Sequence, residues 1–276
     1  MMQLRRERRM WRTAGWGLAA AVLLTGCRST GGAGAAPVSA VSSISLPFFG
    51  KRELRESWAE WGRQNLQDGD LVFVMGESRI LLGLLNFSKF SAEIAESEFS
   101  HVGVVAIEEG MPVVYDITTD GALRRPFDRY VTDRRVWSVA VRRLHASRQQ
   151  CIPAALAYCR RVHQEDRKFD TGFRLDNDRL YCAELVEAAF REGGQPLSSP
   201  IRIDALPGFS RMPTATVRLI EATTSLSAEQ EIYLPGNEHY GIWSCPWLAT
   251  VLKKTDADSP PMLESSLQAA RLPPTR

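Results

Sequence analysis

Asp178-Arg179-Leu180-Tyr181-Cys182-Ala183-Glu184-Leu185-Val186-Glu187-Ala188-Ala189-Phe190 is the stretch on which the fold turns. Leu185, Val186, Ala189 and Phe190 recur at helical spacing and predict a stripe that faces a core. Glu184 and Glu187 fall off that stripe, and Gly193-Gly194 supplies a stop. Cys182 then stands on the first turn of the helix, where unpaired backbone N–H groups and the helix dipole favour an anion. That setting makes its thiol a candidate nucleophile. Taken by itself, a cysteine here fits a small buried packing residue better than a nucleophile.

A cysteine nucleophile needs a proton acceptor, and the acceptor needs a group that fixes its orientation. Residues 99–107 predict a strand with His101 near its start. Residues 108–111 turn the chain, and residues 112–118 predict a second strand carrying Asp116. Paired as a hairpin with an even-length loop, the two strands put His101 and Asp116 on one face, because side chains alternate with period two. If Ile107 opposes Pro112, then His101 opposes Thr118 and Asp116 lies diagonally. A loop at 108–109 sets His101 directly against Asp116. Gly103 leaves room on that face. The backbone N–H of Cys182 is a candidate oxyanion donor.

Ser100-His101-Val102-Gly103-Val104-Val105 and Tyr181-Cys182-Ala183-Glu184-Leu185-Val186 resemble the two signatures of the permuted papain-fold amidases, the YiiX/YaeF-like branch of the NlpC-type superfamily. Asp68-Gly69-Asp70-Leu71 resembles the opening of that family's first strand, and Val114-Tyr115-Asp116 the strand supplying the third polar residue. Phe169-Asp170 and Asp178-Arg179-Leu180 resemble the approach to the cysteine. The resemblance spans about residues 66–192. It implies an α+β, circularly permuted papain-like fold, in which an antiparallel sheet carries the histidine and aspartate and the cysteine starts a following helix. It implies Cys182 as nucleophile, His101 as general base and Asp116 as orienting residue, acting on an amide or ester carbonyl with no cofactor and no metal. Two positions depart from the family: Asp116 stands where Glu is frequent, and Ala183 where Ser is common.

The N-terminus carries a separate message. Arg5, Arg6, Arg8, Arg9 and Arg12 precede the apolar run 16–24, and Leu24-Thr25-Gly26-Cys27 closes it. This is the architecture of a secretory signal, too short for a comfortable membrane span. Its last four residues resemble a bacterial lipobox, which implies lipidation of Cys27. Residues 28–45 are rich in Ser, Gly and Ala and predict a flexible tether. The expected division is a signal at 1–26, lipidated cysteine and tether at 27–52, a catalytic domain at 53–255 and a disordered tail at 256–276. With Arg28 and Ser29 and no Asp after the cysteine, the lipobox resemblance implies the periplasmic face of the outer membrane. The chain has 34 Lys and Arg against 32 Asp and Glu; removing the signal leaves 29 against 31. No basic cluster interleaved with aromatics suggests nucleic acid.

Elsewhere the pattern predicts a helix at 53–61, strands at 71–75 and 136–143, a helix at 149–163 and an apolar segment at 80–90. The stretch 120–127 reads as a connection. Cys159 and His163 lie one helical turn apart, a weak metal signal. Cys151, Cys159 and Cys245 leave room for one disulfide. Tyr181, Tyr115 and Ser100 flank the candidate site residues and are candidate groove residues, as are Tyr233, Tyr240 and Trp243 farther on. The expected substrate is a peptide or amide of the cell envelope, reached from a lipid anchor. The alternatives are lipid ester or amide hydrolysis or acyl transfer on the same nucleophile, and a non-catalytic lipoprotein that binds a peptide or partner.

Overall fold

The computed structural model describes residues 50–76, 79–80, 85–133, 136–214, 217–218 and 226–259. The expected signal, Cys27 and the tether up to residue 49 lie outside the described residues, as do residues 260–276. The strands are β1 (Leu71–Gly76), β2 (Arg79–Ile80), β3 (Leu85–Asn86), β4 (His101–Glu108), β5 (Met111–Thr118), β6 (Gly121–Pro126), β7 (Val136–Leu144), β8 (Ile201–Arg202), β9 (Glu231–Ile232) and β10 (Leu248–Lys254). The helices are α1 (Lys51–Asn65), α2 (Phe87–Ile94), α3 (Phe127–Thr132), α4 (Ile152–Gln164) and α5 (Cys182–Glu192).

Six strands form one sheet in the order β10-β7-β1-β4-β5-β6, each neighbouring pair antiparallel. β1 reads as an unbroken apolar run because both its faces are covered. Leu71 and Phe73 pack into the layer built with α4 and α5. Val72 and Val74 pack into the other, beneath Trp58 and Trp61 of α1 and Phe127, Tyr130 and Val131 of α3.

The hairpin register follows the first of the two expected alternatives. Ile107 pairs with Pro112 and Glu108 with Met111, so the loop shrinks to Glu109 and Gly110. Both have positive φ, 52° and 75°, the backbone that lets a two-residue turn match strand twist. At the far end pairing stops at Val104–Tyr115. Continued, the register sets Gly103 opposite Asp116. A Cβ on Gly103 would come within 2.6 Å of the Val114 side chain and 3.0 Å of the Tyr115 carbonyl oxygen, so this close approach needs glycine.

The structure departs from the sequence reading at several points. The connection at 120–127 is mostly the edge strand β6, paired with β5 from Val113–Pro126 to Thr118–Gly121. Its charged Arg124-Arg125 and terminal proline suit an edge, and they hid the strand from a pattern search. Glu184 and Glu187 are buried, so α5 is enclosed well beyond its apolar stripe. Glu187 is held there by the backbone N–H groups of Leu197 and Ser198 at 3.1 and 3.0 Å and by Arg191 at 2.7 Å. Cys151, Cys159 and Cys245 are free, buried thiols. Packing also runs past residue 255: Ala257 is buried, accepts the Trp58 indole N–H and donates its own N–H to the Trp137 carbonyl.

Candidate active site

His101 opens β4 and Cys182 opens α5, so both stand at the ends of elements while their backbones are anchored in packed layers. The Val74–His101 pair ties the histidine to β1. Asp116 lies within β5, its side chain fully buried. His101 Nε2 and Asp116 Oδ2 are 2.8 Å apart. Cys182 is the other electrostatic neighbour of the imidazole. With Nε2 facing the carboxylate, Nδ1 is the nitrogen left to exchange a proton with sulfur.

Burial by itself would depress the imidazole. The neighbouring Cys182 and Asp116 outweigh it and raise His101 from 6.5 to about 9. At neutral pH the ring is therefore an imidazolium between two groups that stabilise its charge.

The carboxylate has another donor. Arg125 Nη2 on β6 lies 2.6 Å from the same Asp116 Oδ2. The guanidinium sits 5.0 Å from the centre of the Tyr130 ring, and the His101 ring stacks on Tyr130 with centroids 6.0 Å apart. The sequence reading missed Arg125 because the segment looked like a connection. The signal available was its place on the strand after Asp116: in an antiparallel pair, Val114 faces Arg125 and lies on the same face as Asp116.

The approach to Cys182 is organised by Asp170, itself buried. Its carboxylate accepts the N–H groups of Gly172 at 2.8 Å and Arg174 at 2.6 Å and the Asn177 side-chain amide at 3.0 Å. Its own N–H donates to the Leu180 carbonyl, and Phe169 bridges to Leu180. The loop is thus bound to itself up to two residues before the cysteine. On the helix side, burial pushes the Glu184 carboxyl up to about 8; the Tyr181 backbone N–H opposes that shift and nearby Asp170 adds to it.

The expected groove residues divide. Tyr181 and Tyr115 are only 2% and 4% exposed. The Tyr181 hydroxyl accepts the Tyr233 N–H at 2.6 Å, and the Tyr115 hydroxyl donates to Glu108 at 2.8 Å, so both serve the core instead of a groove. Ser100 is half-buried and donates its N–H to the Val74 carbonyl. Trp243 packs on Phe73 and Phe99, and Tyr240 hydrogen-bonds to the Ala95 carbonyl. His163 Nδ1 faces the Ala122 carbonyl at 3.2 Å. Among the described residues no group of three or more His, Cys, Asp or Glu is placed to hold a metal ion.

Residues 65–201 match the model of a family described as permuted papain-like amidase enzymes, YaeF/YiiX, C92 family. The matched stretch contains His101, Asp116 and Cys182. Among solved structures, the chain resembles the crystal structure of metalloprotein yiiX from Escherichia coli O157:H7, with 21% identity and a TM-score of 0.55, over 69% of this chain and 98% of that one. No curated protein matches. The structural likeness supports the fold, and the family match supports a hydrolase of the cysteine amidase or peptidase type.

Proposed function

We propose that the chain is an envelope-anchored amidase that cleaves an amide bond of a cell-wall peptide with Cys182 as nucleophile, His101 as acid and base and Asp116 as the orienting carboxylate. The observation that supports this reading is the 2.8 Å contact of His101 Nε2 with buried Asp116, with Cys182 among the electrostatic neighbours of the imidazole.

The chemistry follows from that order. The Cys182 thiolate adds to the carbonyl carbon, and the negative charge that develops on oxygen is met by the Cys182 backbone N–H at the first turn of α5. The carbon–nitrogen bond breaks as the His101 imidazolium gives its proton to the leaving amine, leaving a thioester and a neutral imidazole. Water then attacks the thioester carbon, His101 takes a proton from it, and the carbon–sulfur bond breaks. The acid product departs and the thiolate–imidazolium pair is restored. Asp116 stays ionised and fixes the ring throughout.

The envelope part rests on the N-terminal sequence: the basic start, the apolar run and Leu24-Thr25-Gly26-Cys27. A lipid on Cys27 would keep the domain on a leash at the periplasmic face of the outer membrane, within reach of wall peptides. Metabolic labelling with a fatty-acid probe tests it: incorporation into the wild type and loss in Cys27→Ser are expected, and equal labelling of both sinks the anchor.

The substrate is tested by incubating the soluble domain with muropeptides and, separately, with phospholipids, using Cys182→Ala as control and mass spectrometry as readout. Cleaved muropeptide amide bonds with wild type only are expected. Fatty-acid release or transfer from phospholipid, with muropeptides intact, would move the activity to acyl substrates.

A further inference from the structure

Asp116 carries a burden that the dyad alone does not meet. Its side chain is fully buried, and a buried carboxylate needs a compensating charge. In the cycle proposed above His101 alternates between imidazolium and neutral ring, so for part of each turnover it cannot supply that charge. Arg125 is positioned to supply it throughout. Its guanidinium meets the same Oδ2 at 2.6 Å, on the oxygen that also takes His101 at 2.8 Å, and it does not lose its proton in proteins. It is also held in place: its side chain is mostly buried and lies against Tyr130, the ring on which His101 stacks.

We propose that Arg125 is a positioning residue of the reaction: it fixes Asp116 Oδ2 against His101 Nε2 and keeps Asp116 ionised when the imidazole is neutral. The proposal rests on the His101–Cys182 reading and adds to it a residue that never touches substrate. The titratable and charged groups facing the imidazole are Asp116 from β5, Arg125 from β6 by way of that carboxylate, Tyr130 from α3 and Cys182 from α5. Among these described groups Arg125 is the cation, and its charge opposes charge on the ring. Without it the imidazolium would grip its proton harder and become a poorer acid toward the leaving amine.

The test reads His101 directly. The full domain, labelled with 15N-histidine, is titrated by nuclear magnetic resonance as wild type, Arg125→Gln and Arg125→Lys, with His101→Gln to assign the signal. The His101 midpoint should rise by about one pH unit in Arg125→Gln and return close to wild type in Arg125→Lys, which restores a cation. A residue that merely supports the fold would lower the melting temperature and leave the midpoint in place, and that result overturns the proposal. A second measurement needs no variant at Arg125. In wild type the Asp116 13Cγ shift should be that of a carboxylate from well below the His101 midpoint to above it, and an Asp116 still protonated at that midpoint overturns the proposal even if Arg125→Gln fails to fold. Iodoacetamide alkylation of Cys182 separates the underlying reading: a rate unaffected by His101→Ala removes the thiol–imidazole pair, while the effect of Arg125 on His101 is still read from the titrations.

Discussion

The Tyr130 ring lies nearly parallel to the His101 imidazole, with centroids 6.0 Å apart and planes 28° apart. Tyr130 is buried, and its hydroxyl reaches the Val72 carbonyl at a long 3.4 Å. The contact gives α3 a part in the site, although no residue of α3 donates or accepts a proton there. Removing the ring removes core packing and the platform beneath the imidazole together. Tyr130→Ala should cost about 3–5 kcal/mol of stability and lower turnover at least tenfold under conditions where the protein stays folded. Tyr130→Phe keeps the ring and should cost about 1 kcal/mol or less, with turnover near wild type. Urea melts and rate measurements on the two variants check this; equal turnover in both would separate the ring from the chemistry.

Sulfur reactivity tests the pair without a substrate. With His101 as an imidazolium at neutral pH, wild-type Cys182 should react with iodoacetamide at pH 7 about tenfold faster than Cys182 in His101→Ala. The buried Cys159, whose thiol burial pushes up to about 12, should remain unlabelled in the folded protein. Mass spectrometry of the alkylated peptides distinguishes the two thiols.

Asp170 should matter to Cys182 through the loop it ties. Asp170→Ala leaves the N–H groups of Gly172 and Arg174 and the Asn177 amide without their shared acceptor. A loss of about 1–3 kcal/mol is expected, with faster amide exchange across residues 171–180 and unchanged exchange in β1. Exchange that rises equally in β1 would mean that Asp170 holds the whole fold and not the approach to the cysteine.

Glu184 gives the protein a pH-dependent stability of definite sign. Its folded value of about 8 lies above the ordinary 4.5 because burial penalises the charged form. The folded state therefore binds this proton more tightly than the unfolded chain. The resulting stability is complete below about pH 4.5 and is lost as the pH rises through about 8. Glu184→Gln removes the titration. At pH 8.5 it should exceed wild type by on the order of 2–4 kcal/mol, and the difference should shrink toward pH 5. Urea midpoints at the two pH values check this, and parallel pH dependence in both proteins would refute it.

The sequence was most legible where periodicity and function coincide. The hairpin of β4 and β5, the helical start at Cys182 and the double-glycine stop were all readable, because alternation, helical spacing and turn chemistry each speak within about ten residues. Parity, with an even-length loop, put His101 and Asp116 on one face; their 2.8 Å contact is read in the structure. What escaped depended on partners far along the chain. The burial of Glu187, off the apolar stripe, was hidden because the N–H groups that hold it belong to residues 197 and 198. Tyr181 looked like a groove wall because its own partner, the Tyr233 N–H, is 52 positions away. Arg125 was hidden by an edge strand whose sequence, Gly121-Ala122-Leu123-Arg124-Arg125-Pro126, has too little apolar alternation to declare itself.

The burial of α5 also bears on how this protein can be altered. Of the residues Cys182–Glu192, eight are buried, including both glutamates of its first two turns. A helix enclosed on that many sides offers few positions where a new side chain can be tried without disturbing a neighbour. Directed evolution toward a new amide should therefore gain little from randomising α5. Diversity is better placed in exposed loop positions such as Glu96, Glu98 and Asp178, with the nucleophile's own helix held constant.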